Sequence, residues 1–406
     1  MAPTKFADVV ICGGAVIGSS IAYHLAASSS FSGRVVVVEK DPTYRLAASA
    51  LSAASIRQQY SSAVNIRLSL HGIRFLRDIG SHLEVNGERP TIDLHEGGYL
   101  YLAGEDKAPT LRANHALQVA EGADVALYNA EALRSTFPWL NVDGVACGGL
   151  GLTGEGWFDG WAVLQAFRRK ARSLGVDYHQ GEIGRYVVEE GRVVAVELTD
   201  GQRIACGVAV NASGTHGARL ARTAGVEIPV RSKKRYVFSF ICKAVAEAWP
   251  LVVDTSGAWC RAEGKRSAEG QRFISGCSPL NPGQDVEWIE SDPAAEDVDW
   301  KFFEESIWAP LAHRIPAFEE IKPGRAWAGP YDMNEVDHNA VLGPAIGVAN
   351  LYLANGFSGH GLQHSPGIGR GLAEHILNGR YVTLDLSELC HDRIVAHRPL
   401  VEENVL

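Results

Sequence analysis

The sequence has no surplus of positive charge. Lysine and arginine number 38 against 47 aspartate and glutamate, a formal net charge of −9 over 406 residues. The counter-charge needed to hold nucleic acid or anionic lipid is missing, and neither partner is expected. Cysteines are few: seven, odd in number and scattered (Cys12, Cys147, Cys206, Cys242, Cys260, Cys277, Cys390), with no C-x-x-C pair and no histidine spacing of a zinc site. That pattern argues against a disulfide framework or a structural metal and for reduced, buried thiols in a cytoplasmic protein. No run approaches the ~18 consecutive apolar residues of a membrane span, and the first strand candidate already begins at Asp8, so neither a transmembrane segment nor a signal peptide is expected. With 46% apolar and 21% charged residues, the chain reads as an ordinary globular protein of two or three domains at ~150 residues each. What it has in quantity is glycine, 43 residues, and the positions of those glycines carry most of the information.

Asp8 to Cys12 and Val35 to Val38 are short β-branched runs of the kind buried on both faces of a parallel sheet. Between them Ile17, Ile21 and Leu25 recur at helical spacing, and the turn after the first run is Gly13-Gly14-Ala15-Val16-Ile17-Gly18. Strand, glycine turn, helix and strand, closed by the acid Glu39, form a dinucleotide-binding fingerprint. Gly13 permits the tight turn, a small residue at 15 lets the backbone approach a pyrophosphate, and Gly18 lets the helix pack on the strand. Helix amides and the helix dipole then face phosphate. Glu39 can accept hydrogen bonds from ribose hydroxyls, and its charge would repel a 2′-phosphate, which argues against NADP. The departure is Ala15, where a glycine is usual; its methyl marks it as the position expected to carry strain.

The C-terminal part holds a second glycine-rich block, Asn355-Gly356-Phe357-Ser358-Gly359-His360-Gly361-Leu362-Gln363-His364-Ser365-Pro366-Gly367-Ile368-Gly369-Arg370, and the middle holds Val210-Asn211-Ala212-Ser213-Gly214. Ser365-Pro366 reads as a helix start, with a capping hydroxyl and proline at the first position. Ile368, Leu372 and Ile376 form an apolar stripe, and Asn378-Gly379 ends the helix. A glycine-rich loop before a helix suits backbone lying flat against a planar ligand, with the positive helix end stabilising negative charge on it. Together with Ala48 to Tyr60, these blocks resemble the D-amino-acid-oxidase-like superfamily, the glycine oxidase and sarcosine oxidase group. The resemblance implies noncovalent FAD held by Gly13, Gly14, Ala15, Val16, Ile17, Gly18, Glu39, Lys40, Ala48, Ser49, Ser52, Ala53, Ala54, Ile183, Ala212, Ser213, Gly214, Gly356, Phe357, Ser358, Gly359, His360, Gly361, Leu362 and Gln363. It also implies an α/β fold: a discontinuous Rossmann-type FAD-binding domain (residues 1–87, 151–215 and 328–406) with an inserted α+β, mixed-sheet substrate domain (88–150 and 216–327).

The residue patterns permit that organisation. A helix around Val64 to Ile79, a helix with Val163, Ala166, Phe167 and Ala171, and an alternating hairpin from Gly181 to Val196 centred on Glu190-Gly191 belong with the FAD half. Arg235 to Phe240 alternates like a sheet strand with one face toward a ligand. Gly264 to Gly270 and Gln284 to Asp299 read as surface loops with a polar helix start.

Flavin amine oxidation removes a hydride equivalent from the carbon beside nitrogen, so the protein has mainly to hold that carbon near flavin N5 and grip the other end of the substrate. Arg57, in Ser55-Ile56-Arg57-Gln58-Gln59-Tyr60, falls where the resemblance places a carboxylate-binding arginine, and arginine offers the bidentate fork a carboxylate matches. Tyr236 is a candidate second donor, His360 a flavin contact, and Gln363 stands where monomeric sarcosine oxidases are expected to have lysine. Pro330 occupies the position of their flavin-linking cysteine, hence noncovalent FAD. Gln271 to Cys277 lacks the lysine expected to activate oxygen, so a quinone or protein acceptor stands beside oxygen as electron acceptor. The implied activity is FAD-dependent oxidation of a small secondary or N-methyl amino acid, of the sarcosine, dimethylglycine or proline kind, to an imine that water hydrolyses. The resemblance also admits a flavoprotein with structural FAD serving assembly of a respiratory complex, whereas an NAD-dependent dehydrogenase built on the first unit conflicts with the C-terminal loop. Oligomeric state is not legible.

Overall fold

The computed structural model describes residues 5–245, 249–279, 285–287 and 298–403. The valine-rich runs form neighbouring parallel strands, Lys5–Cys12 and Val35–Glu39. Alternate residues of these strands serve different cores: Val9, Ile11, Val35 and Val37 face one side, while Ala7, Val10, Cys12, Val36 and Val38 face the other. Burial on both faces is why the runs are continuously apolar instead of alternating. The parallel set continues through Arg203–Asn211 and Leu351–Asn355 on one flank and Asp177–Gln180 on the other, with Val341–Pro344 as an antiparallel edge. Register aligns their carboxyl ends, with Cys12 opposite both Val38 and Asn211, and Asn211 opposite Leu353. Ligands of open α/β sheets bind in the crevice at that edge.

Helices Val16–Ala26, Ala63–Arg77, Gly160–Ser173 and Gly361–Asn378 share one core with the sheet. The first and last cross very closely: a Cβ at Gly369 would stand 2.1 Å from Ser20 Oγ, which donates to the Ser365 carbonyl at 2.7 Å. On the other face lie the hairpin Ile183–Glu189 and Arg192–Leu198 and the short helix Gly217–Arg222. The hairpin turns at Glu190-Gly191, both with positive φ (48° and 72°), as expected of the short turns that match strand twist.

The second sheet is mixed and runs Ile321–Asn334, Val230–Cys242, Gly270–Gly276, Trp259–Ser267, Leu251–Val253, Tyr99–Ala103, Cys147–Gly151, Val125–Asn129. A cluster of aromatic side chains, including Phe238, Phe240, Phe273, Phe303 and Phe318, packs against it. A two-stranded ribbon, Ser55–Ile56 against Gly156–Trp157, carries Arg57 and Glu155 at its ends. The chain is thus the α/β molecule expected, a parallel nucleotide-type sheet beside a mixed sheet.

Two expectations are corrected. Gly264 to Gly270 is not a loop but the exposed end of the hairpin Trp259–Ser267 and Gly270–Gly276, since strand pairing outweighs local polarity. The closing helix begins at Gly361, so Pro366 lies inside it and Ser365 is no cap. Proline takes one N–H from the helix ladder, and Ser365 Oγ donates to the Leu362 carbonyl (2.8 Å), supplying the donor that proline lacks. Of Gln284 to Asp299, most lies outside the described residues; Asp299 does start a helix, accepting from Phe302 N. All seven cysteines are unpaired thiols.

Candidate active site

The glycine turn is dictated by backbone contacts. Gly13 has φ +101°, and a Cβ there would lie 2.4 Å from the Ala212 carbonyl oxygen. A Cβ at Gly18 would lie 1.9 Å from the Gly13 carbonyl oxygen. Gly14 N donates to Glu39 Oε2 (2.8 Å) and Asp41 N to Oε1 (2.9 Å), which aims the carboxylate at the crevice; burial raises its pKa against the opposing pull of those amides. Ala15 is not strained: its φ of −68° and ψ of −166° are ordinary extended backbone just before the helix. Left-handed backbone is found at three other non-glycine residues around the cavities, Tyr44, Ala54 and Ser358 (φ 55°, 51° and 51°), the kind of local cost that functional sites retain.

A cavity of about 550 Å³ runs from this turn to the closing helix, within the range of cofactor sites. Its walls bring together Gly13, Ala15, Val16, Ile17, Glu39, Lys40, Ala48, Ser49, Ser52, Ile183, Ala212, Ser213, Gly214, Phe357, Gly359, Gly361 and Leu362. The residues fit a dinucleotide. The glycine-turn backbone and the start of the Val16–Ala26 helix line the cavity, as phosphate requires. Ser49 Oγ also lines it, buried and with no partner among the described residues. At the same end Lys40 Nζ lies 3.1 Å from His216 Nε2. Burial, with Lys40 and Arg219 nearby, pushes the His216 pKa down to about 4, so the neutral ring accepts from the ammonium.

At the opposite end the glycine-rich loop is pinned by a buried acid. Asp332 Oδ2 accepts from Gly356 N (2.9 Å) and Phe357 N (3.2 Å), and its carbonyl from Ser358 N (3.0 Å). Burial raises its pKa to about 6, and an asparagine there keeps an acceptor oxygen. Asp332→Ala strips two buried amides of their acceptor, at about 1–3 kcal/mol, and is expected to weaken FAD affinity roughly 5- to 150-fold. Asp332→Asn should keep most of it; fluorescence titration of apoprotein with FAD compares them. The loop glycines are also required by the protein around them. Cβ atoms at Gly356, Gly359 and Gly361 would meet Val230, Tyr331 and Phe357 respectively at 2.8, 2.6 and 3.1 Å, so protein packing on one side and positive φ at the first two exclude larger residues.

A second, smaller cavity of about 60 Å³ adjoins the first and shares Ser52, Tyr331, Gly359 and Leu362 with it. Its other walls include Ala53, Ala54, Arg57, Tyr99, Leu251, Trp259, Ser358, His360 and Gln363. Arg57 is 2% exposed and fixed at several points. Its backbone N donates to Gln363 Oε1 (2.9 Å), Nη1 to the Gln59 carbonyl (2.5 Å), and Nη2 lies 3.2 Å from His360 Nε2. The guanidinium stacks 3.9 Å over the Tyr60 ring, and Gln363 Nε2 donates to Tyr60 Oη (2.5 Å). Burial, then Arg57 and His364, hold the His360 pKa well below the ordinary histidine value. Burial and Arg57 likewise take His364 to about 3. The cavity wall therefore carries the Arg57 guanidinium beside the neutral His360 ring, an arrangement able to hold and orient a small anion.

Gly14, Gly18 and Gly356 sit behind the larger cavity's walls, while Ala53, Ala54, Ser358, His360 and Gln363 belong to the smaller one. Tyr236, the candidate second donor, is in neither lining, and its ring packs with Phe238 and Phe302. The tyrosines that do line the smaller cavity are Tyr99 and Tyr331. The sequence reading also missed Tyr44, His216, Arg219 and Asp332, all in the larger lining. Only His216 had a local signal, two residues beyond the Gly214 turn.

The model of the FAD dependent oxidoreductase family DAO matches residues 8–375. A protein of Xenopus laevis called FAD-dependent oxidoreductase domain-containing protein 1 is 40% identical, over 100% of this chain and 86% of its own length. Human mitochondrial sarcosine dehydrogenase is 26% identical over 92% of this chain, a match spanning 40% of that longer protein. Among solved structures, L-proline dehydrogenase from P. horikoshii has the same fold, with a TM-score of 0.81 at 22% identity over 98% of this chain and 100% of that one.

Proposed function

The chain belongs to the DAO family of FAD-dependent oxidoreductases, enzymes of the amine and amino-acid oxidising type, and from that premise we propose that it oxidises a small secondary or N-methyl amino acid to an imine, released to hydrolysis by water. One observation carries the reading: the buried Arg57 guanidinium lines a small cavity that shares walls with the FAD-sized one. Residues 1–87, 151–215 and 328–406 would form the FAD-binding domain and 88–150 with 216–327 the substrate domain, the substrate lying between them, with Tyr99, Leu251 and Trp259 on one side and Arg57, His360 and Gln363 on the other. FAD, when bound, supplies the two-electron acceptor.

The rest is done by the chain's own groups. Arg57 takes the substrate carboxylate. His360, neutral, accepts from Nη2, and the Gln59 carbonyl accepts from Nη1, which fixes the plane of the guanidinium. Gln363 ties the arginine backbone to the closing helix, so carboxylate and flavin sites are set by one rigid element. Tyr99, Leu251, Trp259 and Tyr331 wall the cavity and keep bulk water from the reacting carbon. The sequence likeness to sarcosine dehydrogenase, whose name states an N-methyl amino acid, supports the substrate class. A purely structural cofactor, the reading in which the protein serves assembly of a respiratory complex, gives no reason for a charged cavity beside it.

FAD is noncovalent in this reading, and acid precipitation should release all of the yellow colour. The unpaired thiols fit a reducing compartment. Anaerobic mixing with sarcosine, dimethylglycine, proline and glycine should bleach the flavin with at least one of them; no bleaching with any N-alkyl or cyclic amino acid contradicts the proposal. Admitting air afterwards reports the acceptor: slow reoxidation in air with fast reoxidation by a quinone is expected.

A further inference from the structure

The segment that bears Arg57 is held from two sides by buried carboxylates, and one of them comes from far away in the chain. On one side Glu155, fully buried, accepts from Gln58 N (2.5 Å) and Gln59 Nε2 (2.8 Å); it immediately precedes Gly156–Trp157, the strand paired with Ser55–Ile56. On the other side stands Glu402, 1% exposed. Its Oε1 accepts from Ser61 N (2.8 Å) and Ser61 Oγ (2.7 Å), and its Oε2 from Ser62 Oγ (2.8 Å) and Asn65 Nδ2 (3.0 Å).

The strap that delivers Glu402 is itself fastened. Leu400 N donates to Asp337 Oδ2 (3.1 Å) and Glu402 N to the Asp337 carbonyl (2.9 Å), while Asn339 Nδ2 donates to the Leu400 carbonyl (2.6 Å). Asp337 is in turn paired with Arg393 (2.8 Å). Helix Ala63–Arg77 starts at Ser62 with no side-chain cap of its own. A carboxylate at that end satisfies local donors and suits the positive end of the helix dipole. Between the two acids lie Arg57 and Tyr60, the guanidinium stacked on the ring, and Glu402 acts electrostatically on both.

We propose that Glu402 is a positioning residue for the substrate site: its carboxylate fixes Ser61, Ser62 and Asn65, these fix Tyr60, and Tyr60 with Gln363 fixes the face and angle of the Arg57 guanidinium. The inference rests on the reading of Arg57 as the carboxylate anchor, and its test separates the two. FAD-loaded wild type, Arg57→Ala, Glu402→Ala and Glu402→Gln are titrated with acetate, following the flavin absorbance spectrum, with acetamide as the uncharged control and flavin content measured for each. Wild type is expected to saturate with acetate, and Arg57→Ala to lose the response. Glu402→Ala should raise the acetate Kd by about tenfold at unchanged flavin content, the size of a coupling between residues in one network. Glu402→Gln, which keeps one acceptor oxygen, should fall between. A Glu402→Ala Kd equal to wild type, with the wild-type and Arg57→Ala results as expected, overturns the positioning role alone. A wild type indifferent to acetate overturns the anchor reading and the inference with it. If Glu402→Ala does not fold, Glu402→Gln and Ser62→Ala decide: a Kd unchanged in both overturns the role, and a graded rise supports it.

Discussion

Arg57→Ala should lower kcat/KM for the amino-acid substrate by roughly 30- to 5000-fold while leaving a yellow, folded protein. Arg57 lines the smaller cavity and not the larger one, so the walls of the FAD-sized cavity are kept. What is lost is a charge-assisted, directed grip on the carboxylate; truncating one partner of a desolvated charge pair costs about 2–5 kcal/mol, roughly 30- to 5000-fold in affinity. The gap left behind also strands His360 Nε2 and the Gln59 carbonyl, so a fall in melting temperature of a few degrees is expected. Arg57→Lys tests the geometry separately from the charge. Lysine keeps the charge but not the planar fork, and recovery of only part of the lost kcat/KM is expected, while full recovery would show that charge alone matters. Steady-state kinetics with flavin content as the normaliser measures both.

Gly18→Ala should prevent accumulation of FAD-loaded protein. The new methyl would stand 1.9 Å from the Gly13 carbonyl oxygen, a backbone atom that no side-chain rotation can move. Gly13 has no slack to absorb the shift, since its own φ is +101° and the Ala212 carbonyl closes its other side. Separating helix from strand at this crossing breaks the pyrophosphate turn and opens a core that includes Ile11 and Ile17, so destabilisation above about 3 kcal/mol is expected. Gly379→Asn is the control. Gly379, exposed at the end of the closing helix and outside both cavities, also has positive φ (69°), but a Cβ there meets nothing within 4 Å, and asparagine tolerates that conformation; near-normal FAD content is expected. Flavin-to-protein absorbance ratios and melting curves distinguish the two, and a Gly18→Ala protein with a full complement of FAD would refute the account of the turn.

The part of the site that the sequence makes legible is the part whose geometry is local. The β-branched runs, the glycine turn and Glu39 lie within one strand-turn-helix-strand unit, and each residue type answers a requirement set by its immediate neighbours. The closing helix was legible in its stripe and its Gly379 stop, but not in its start: Ser365 hides the proline by donating where the ladder lacks a donor, a pairing that resembles a cap in sequence and is the interior of a helix in space. The smaller cavity is legible along Ser52 to Ala54, at Arg57 and along Ser358 to Gln363, the stretches that the resemblance covers. Its remaining walls, among them Tyr99, Trp259 and Tyr331, come from separate strands that the second sheet brings together, and nothing in the period-2 pattern around Tyr236 tells which tyrosine faces a ligand and which an aromatic core. Backbone strain was likewise misplaced. Ala15 sits in relaxed backbone, whereas Ala54 takes its left-handed φ in a stretch held from outside, with Arg261 Nη2 bonded to the Ala53 carbonyl and Trp327 Nε1 to the Leu51 carbonyl.

The central claim is that a carboxylate-anchored amine is oxidised beside the FAD site, and anaerobic flavin reduction by an N-methyl amino acid compared with its methyl ester tests it most directly. The two molecules share the amine nitrogen and the carbon beside it, and the ester lacks the negative charge that Arg57 is proposed to bind. Reduction of the flavin by the acid, with a rate for the ester lower by two orders of magnitude or more, is the predicted result. Equal rates for acid and ester, or no reduction by any N-alkyl or cyclic amino acid, would contradict it.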